Sequence, residues 1–104
     1  MSIDNTTGLS SSELEELCIQ IGLFSSITSA YIFGSRAKGN YQPGSDVDLA
    51  LQGESLSRTD IAELSYKLNQ ESLFPYHFDI LNMNTADKKI IEHIKRVGVL
   101  ILQC

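Results

Sequence analysis

The sequence predicts one small α/β domain, a mixed β-sheet with helices packed on one face. Three observations predict it. Short apolar runs with strand-like alternation at residues 30–33, 46–51 and 76–81 are interleaved with stretches whose apolar residues recur at helical spacing. Each helical stretch carries its own start signal, and the first and last also carry a stop signal. Finally, 104 residues with 42% apolar and 20% charged content is the size and make-up of a single globular domain spanning residues 1–104.

In chain order, residues 1–9 are small and polar and are expected to be disordered. Ser10 and Glu13 supply the two halves of a capping box, after which Leu14, Leu17, Cys18 and Ile21 follow helical spacing and Gly22 offers a stop. Residues 30–33 read as a strand ending at Gly34, and residues 35–45 as a loop built on Gly39, Pro43 and Gly44. In the strand at residues 46–51, Val47, Leu49 and Leu51 point to one face, and Asp46, Asp48 and Ala50 to the other. Ser57 to Asp60 begins a second helix, with Ile61, Leu64, Ser65 and Leu68 turned inward. Pro75 sets the approach to a third strand at residues 76–81. The last helix, over residues 86–96, is capped by Thr85 or Asn84, buries Ile90, Ile91, Ile94 and Val97, and ends at Gly98; residues 99–102 add an edge strand. The first two strands are close enough to pair across their loop. The sheet face away from the helices is expected to be open and to carry the carboxylates.

Charge and composition exclude several classes. A net charge of −5 argues against nucleic-acid binding by this chain alone. The basic residues Lys88, Lys89, Lys95 and Arg96 are interrupted by Asp87 and Glu92 and read as a solvated helix face. No apolar run approaches the length of a membrane span, and Met1-Ser2-Ile3-Asp4-Asn5 lacks a signal-peptide pattern, so a cytoplasmic protein without a membrane partner is expected. Cys18 and Cys104 have neither disulfide-framework nor zinc-site spacing; a buried small side chain and a loose terminal thiol are expected.

The chemistry concentrates in Gly34-Ser35-Arg36-Ala37-Lys38-Gly39, Ser45-Asp46-Val47-Asp48-Leu49 and the later Asp79. Asp46 and Asp48 are two positions apart on a strand and project from one face, where their charges repel unless a hard divalent cation joins them. D-x-D by itself also occurs in glycosyltransferases and calcium loops. A Gly-Ser corner after a strand marks a turn or forms a nest of backbone N–H groups that receives phosphate. Phe78 and Ile80 share one face and Asp79 takes the other, so Asp79 joins the pair if the third strand lies beside the second. A salt bridge to Arg36 or Arg58 is the alternative for Asp79. His77 shares the face of Asp79, yet reads as an exposed strand histidine. His93 reads as surface, Tyr31 and Phe33 as core, and Tyr41 as a loop residue that could meet nucleotide or partner.

Taken together, Gly34-Ser35-x-Ala37-Lys38-Gly39, Ser45-Asp46-x-Asp48-Leu49 and Asp79 resemble the nucleotidyltransferase superfamily related to DNA polymerase β. The size and the Ala-Lys-Gly segment are most similar to its minimal nucleotidyltransferases, the MNT proteins. Lys38 stands where the family often has Arg, which removes a bidentate fork but keeps a cation for phosphate. The resemblance implies the polymerase β-like palm fold, with Asp46, Asp48 and Asp79 as catalytic and metal-holding residues. It further implies two Mg²⁺ ions, ATP as donor, and Gly34, Ser35, Arg36, Lys38 and Ser45 around the nucleotide, with either Arg36 or Lys38 neutralising the leaving group. The chain lacks room for an acceptor-binding domain, so the acceptor surface must come from this domain, a homo-oligomer or a partner. The resemblance implies a HEPN-domain toxin, with AMP moved from ATP to one of its tyrosines. The alternatives are an antitoxin that acts by binding alone, and nucleotidylation of a small molecule such as an aminoglycoside.

Overall fold

A computed structural model describes residues 7–42 and 44–103. Residues 1–6 of the expected disordered tail, the turn former Pro43 and the terminal Cys104 lie outside them. The elements are α1 (Ser11–Gly22), β1 (Ser29–Phe33), α2 (Ser35–Lys38), β2 (Val47–Gln52), α3 (Arg58–Tyr66), β3 (Phe78–Asn82), α4 (Lys88–Val97) and β4 (Val99–Gln103). A wider π-type turn, Lys67–Glu71, continues α3. The strands form one mixed sheet in the order β3-β2-β1-β4. β1 pairs antiparallel with β2 and with β4, while β2 and β3 run parallel.

Helices α1 and α3 begin where sequence chemistry places them. Ser10 accepts from Glu13 N (3.1 Å) while Glu13 Oε1 accepts from Ser10 N (2.8 Å), which satisfies two otherwise orphaned donors of α1. Ser57 and Asp60 repeat the arrangement at α3, and Asp60 also accepts from Ser26 Oγ (2.8 Å), which ties the loop before β1 to the helix start. These bonds hold the Asp60 carboxyl below its ordinary pKa, the Ser26 hydroxyl contributing most. α1 and α3 cover one sheet face: Leu14, Leu17, Ile21, Leu64 and Leu68 close over Ile32, Leu49, Leu51 and Phe78.

The second face departs from the expectation of an open sheet with helices on one side. α4 packs there, burying Ile94 with Ala50 and Met83, and with Tyr31, Phe33, Leu81 and Ile91 partly buried around them. Alternation explains it: Tyr31 and Phe33 of β1 and Ala50 of β2 are apolar on this side, and such a patch needs a cover. Ala50 lacks the bulk to hold α4 away. The expected inward stripe of α4 is only half realised, since Ile90 is 46% and Val97 37% exposed, because the apolar ground beneath the helix is narrower than the stripe.

Three local expectations also change. Residues 35–45 are not all loop: Gly34, at φ +73°, turns the chain into the single helical turn α2, and Gly39 closes it in the left-handed conformation with its N–H on Ser35 O. The cap of α4 is Asp87, which accepts from Lys89 N (2.9 Å); Asn84 and Thr85 are engaged in the preceding turn with Asn82. Thr7 and Leu9, in the tail expected to be loose, are buried at 0% and 1% exposure.

Candidate active site

The site forms at one end of the sheet face that α4 covers. The helix shields Ala50 in the middle of β2 but not the strand's beginning, so Asp46 and the strand residue Asp48 remain accessible beside exposed Asp79. Register brings the parts together. The antiparallel pairing sets Phe33 opposite Asp48, so the next residue, Gly34, arrives against the Asp48 carboxylate. A Cβ at Gly34 would overlap Asp48 Oδ2, and its backbone is one that side chains rarely adopt; both reasons select glycine. The parallel pairing sets Asp48 beside Asp79. Val47 N donates to His77 O (2.8 Å), which carries the register back to His77 and Asp46.

His77 Nδ1 lies 3.7 Å from Asp46 Oδ2. One ligand atom each from Asp46, His77 and Asp79 lies within 4.8 Å of the others. Burial, then the charges of Asp79 and Asp46, push the Asp48 carboxyl above its ordinary pKa. Asp46, His77 and Asp79 are a donor set that fits a divalent cation, and Asp48 stands beside them through its pairing with Asp79 rather than within that 4.8 Å group. The cluster admits His77, which the sequence reading set aside; its two-residue spacing from Asp79 on a strand was the available signal. Asp79 makes no ion pair with Arg36 or Arg58 among the described residues.

The edge of β3 next to Asp79 is held by a side chain. Asn69, on the π-type turn, accepts from Phe78 N (2.8 Å) and donates to Phe78 O (3.1 Å), standing in for a further strand between His77 and Asp79. Asn69 had no sequence signal, since the contact is tertiary. Beside it, a groove of about 660 Å³, lined by Tyr66, Asn69, Pro75, Tyr76 and His77 among others, opens next to the cluster.

At the Gly34-Ser35 corner, the first N–H groups of α2 precede its first internal bond, Lys38 N to Gly34 O (3.2 Å), and so lack intrahelical partners. Ser35 is partly exposed at this corner and Lys38 is exposed at the end of the turn. Ser45 Oγ accepts from Gln42 N (2.8 Å) and shapes the loop. Arg36 is not brought to the site surface: its side chain is 2% exposed and its donors go to the carbonyls of Thr7 and Ser45. Tyr41 stacks on it, while Tyr31 and Phe33 pack beneath α4 and His93 is exposed, as expected.

A Gly-Ser corner thus meets an in-register pair of carboxylates at one end of a mixed sheet. Residues 16–104 match the family described as polymerase beta, nucleotidyltransferase, and the chain belongs to that family. No curated protein matches the sequence. Among solved structures, the chain is similar to one of a toxin–antitoxin with AMP-PNP, at 21% identity and a TM-score of 0.72, covering 92% of this chain and 75% of that one. It is also similar to a chain of the MntA–HepT toxin–antitoxin, at 16% identity and a TM-score of 0.70, with 91% and 74% covered. A third is from a tri-AMPylated Shewanella oneidensis HEPN toxin in complex with MNT antitoxin, at 18% identity and a TM-score of 0.61, with 88% and 73% covered. At these identities the likeness is one of fold. Among the described residues, no helix is long and apolar enough to cross a membrane.

Proposed function

We infer that this chain is an Mg²⁺-dependent adenylyltransferase that moves AMP from ATP to a tyrosine hydroxyl of a HEPN-domain partner and thereby acts as its antitoxin. The observation that carries the reading is the Asp48–Asp79 register beside Gly34, which puts the Gly34-Ser35 corner and two carboxylates at one strand end. The acceptor class is supported by the neighbours, one of which contains an AMPylated HEPN toxin and another AMP-PNP.

Asp46, Asp48 and Asp79, with His77 beside them, would hold the metal. When bound, it would neutralise triphosphate charge and lower the pKa of the attacking hydroxyl. Ser35 and the N–H groups of the α2 turn hold the β- and γ-phosphates, and Lys38 supplies a cation toward them. Gly34 allows their close approach. Asp79, on the outer strand, takes the proton of the tyrosine hydroxyl as its oxygen bonds to the α-phosphorus. The bond from that phosphorus to the bridging oxygen breaks, and pyrophosphate leaves. The groove at Tyr66 and His77 gives the acceptor an approach from the Asp79 side.

The test is incubation with ATP, Mg²⁺ and the protein encoded by the neighbouring gene, followed by intact-mass analysis. AMP-sized additions on the partner are expected, and the Asp46→Asn, Asp48→Asn double variant should abolish both addition and neutralisation. No addition with any nucleoside triphosphate, alongside an active partner, refutes transfer. Neutralisation that survives the double variant would instead establish an antitoxin acting by binding alone.

A further inference from the structure

We propose that Arg36 is a positioning residue that locks the nucleotide corner to the first carboxylate, and that the Thr7 carbonyl is part of its socket. This goes beyond the adenylyltransferase reading and rests on it.

A guanidinium at 2% exposure needs compensation, because burying a charge is expensive. Among the described residues it has no carboxylate partner. It is held instead by three bonds and two rings. Nε and Nη2 both donate to Ser45 O, at 3.2 and 2.9 Å, and Nη1 donates to Thr7 O at 2.8 Å. The rings of Tyr41 and Tyr76 lie 4.8 and 4.6 Å from its central carbon. Only a planar fork with several fixed donors can make this set of contacts; a lysine ammonium cannot.

The location of the contacts gives the clasp its purpose. Arg36 follows Ser35, Ser45 precedes Asp46, and Tyr76 precedes His77. One buried cation therefore ties together the three segments that carry the phosphate corner, the first carboxylate and the histidine of the cluster. Tyr76 Oη donates to Glu13 Oε1 (3.1 Å), the same oxygen that caps α1, so the clasp is anchored to the first helix. Among the described residues from Gly39 to Asp46, none belongs to a helix or strand that would fix the spacing of the two halves. A catalytic constellation loses rate steeply when its parts shift by about 1 Å. Thr7 lies before residue 16, where the family match begins.

The experiment measures how strongly Mg²⁺ and nucleotide bind together. The dissociation constant of a fluorescent ribose-labelled ATP is determined with and without Mg²⁺ for the unaltered chain, Arg36→Lys and Tyr41→Leu. Folding of each is checked by circular dichroism and a thermal transition. The unaltered chain should bind the nucleotide more tightly with Mg²⁺. Arg36→Lys should lower that ratio by about tenfold, within the usual range of coupling between sites. A purely structural role would lower the melting temperature and leave the ratio intact, and that result overturns the proposal. If Arg36→Lys does not fold, Tyr41→Leu decides: it removes one half-exposed ring face, and an unchanged ratio in it overturns the proposal. Absence of Mg²⁺ enhancement in the unaltered chain overturns the nucleotide-site reading and the clasp with it, whereas enhancement that persists in the variants overturns the clasp alone.

Discussion

Replacing Asp48 by Asn should stabilise this protein when no divalent cation is present. Asp48 and Asp79 are direct neighbours on parallel strands, which lie about 4.8 Å apart. Two unit charges at about 5 Å repel by roughly 0.8 kcal/mol in a water-like medium and roughly 3 kcal/mol at an effective dielectric constant near 20. Asp79 is exposed and Asp48 only partly buried, so screening keeps the gain near the lower figure, about 1 kcal/mol. For a domain of this size that raises the melting temperature by roughly 4–8 °C. The pH dependence follows from the direction of the shift. Burial, Asp79 and Asp46 raise the Asp48 pKa above its ordinary 3.8, so the folded state favours the protonated form. The stability this contributes is fully present below the ordinary value and is lost as pH rises through the raised one. The advantage of Asn should therefore vanish in acid and be complete at neutral pH. Thermal unfolding in EDTA across that range measures it. In excess Mg²⁺ the order should reverse, because the cation stabilises the native state by binding it and the Asn variant binds it less. A lower melting temperature for Asp48→Asn in EDTA at neutral pH, or an advantage that widens on acidification, would refute the picture of a carboxylate cluster awaiting a cation.

Gly34→Ala should cost about 1–3 kcal/mol through its positive φ and displace the Asp48 carboxylate, so nucleotide binding with Mg²⁺ should fall further than stability alone explains; titration beside a melting curve separates the two. Ala50→Leu should destabilise by about 1–3 kcal/mol by overpacking beneath α4, seen as a lower urea midpoint. Asn69→Ala removes both bonds to Phe78 and should cost about 1–3 kcal/mol; faster amide exchange at Phe78 would locate the effect at the edge of β3.

The residues explain which parts of this protein were legible before folding. Asp46 and Asp48 had to share a face because strand side chains alternate, and Ser10 with Glu13 had to start a helix because each satisfies the other's backbone. Such rules act over a few residues, and they placed α1, the first three strands and the opposition of Leu49 to Asp48. They also made Gly34-Ser35, the paired acids and Asp79 readable as one pattern. What local rules cannot reach is contact between distant segments. Two features were decided there: α4 lying over Ala50 and leaving the strand end open, and His77 meeting Asp46 through the parallel register. Arg36 marks the boundary most clearly. By sequence it was a cation beside a phosphate corner; in the fold its charge is buried against the carbonyls of Ser45 and Thr7 and two tyrosine rings. The sequence by itself determined which groups have the chemistry that the proposed nucleotide and metal sites require, because that depends on residue identity and short spacing. The tertiary structure decided which of them face solvent and which hold the others in place, because burial is a property of the packed chain.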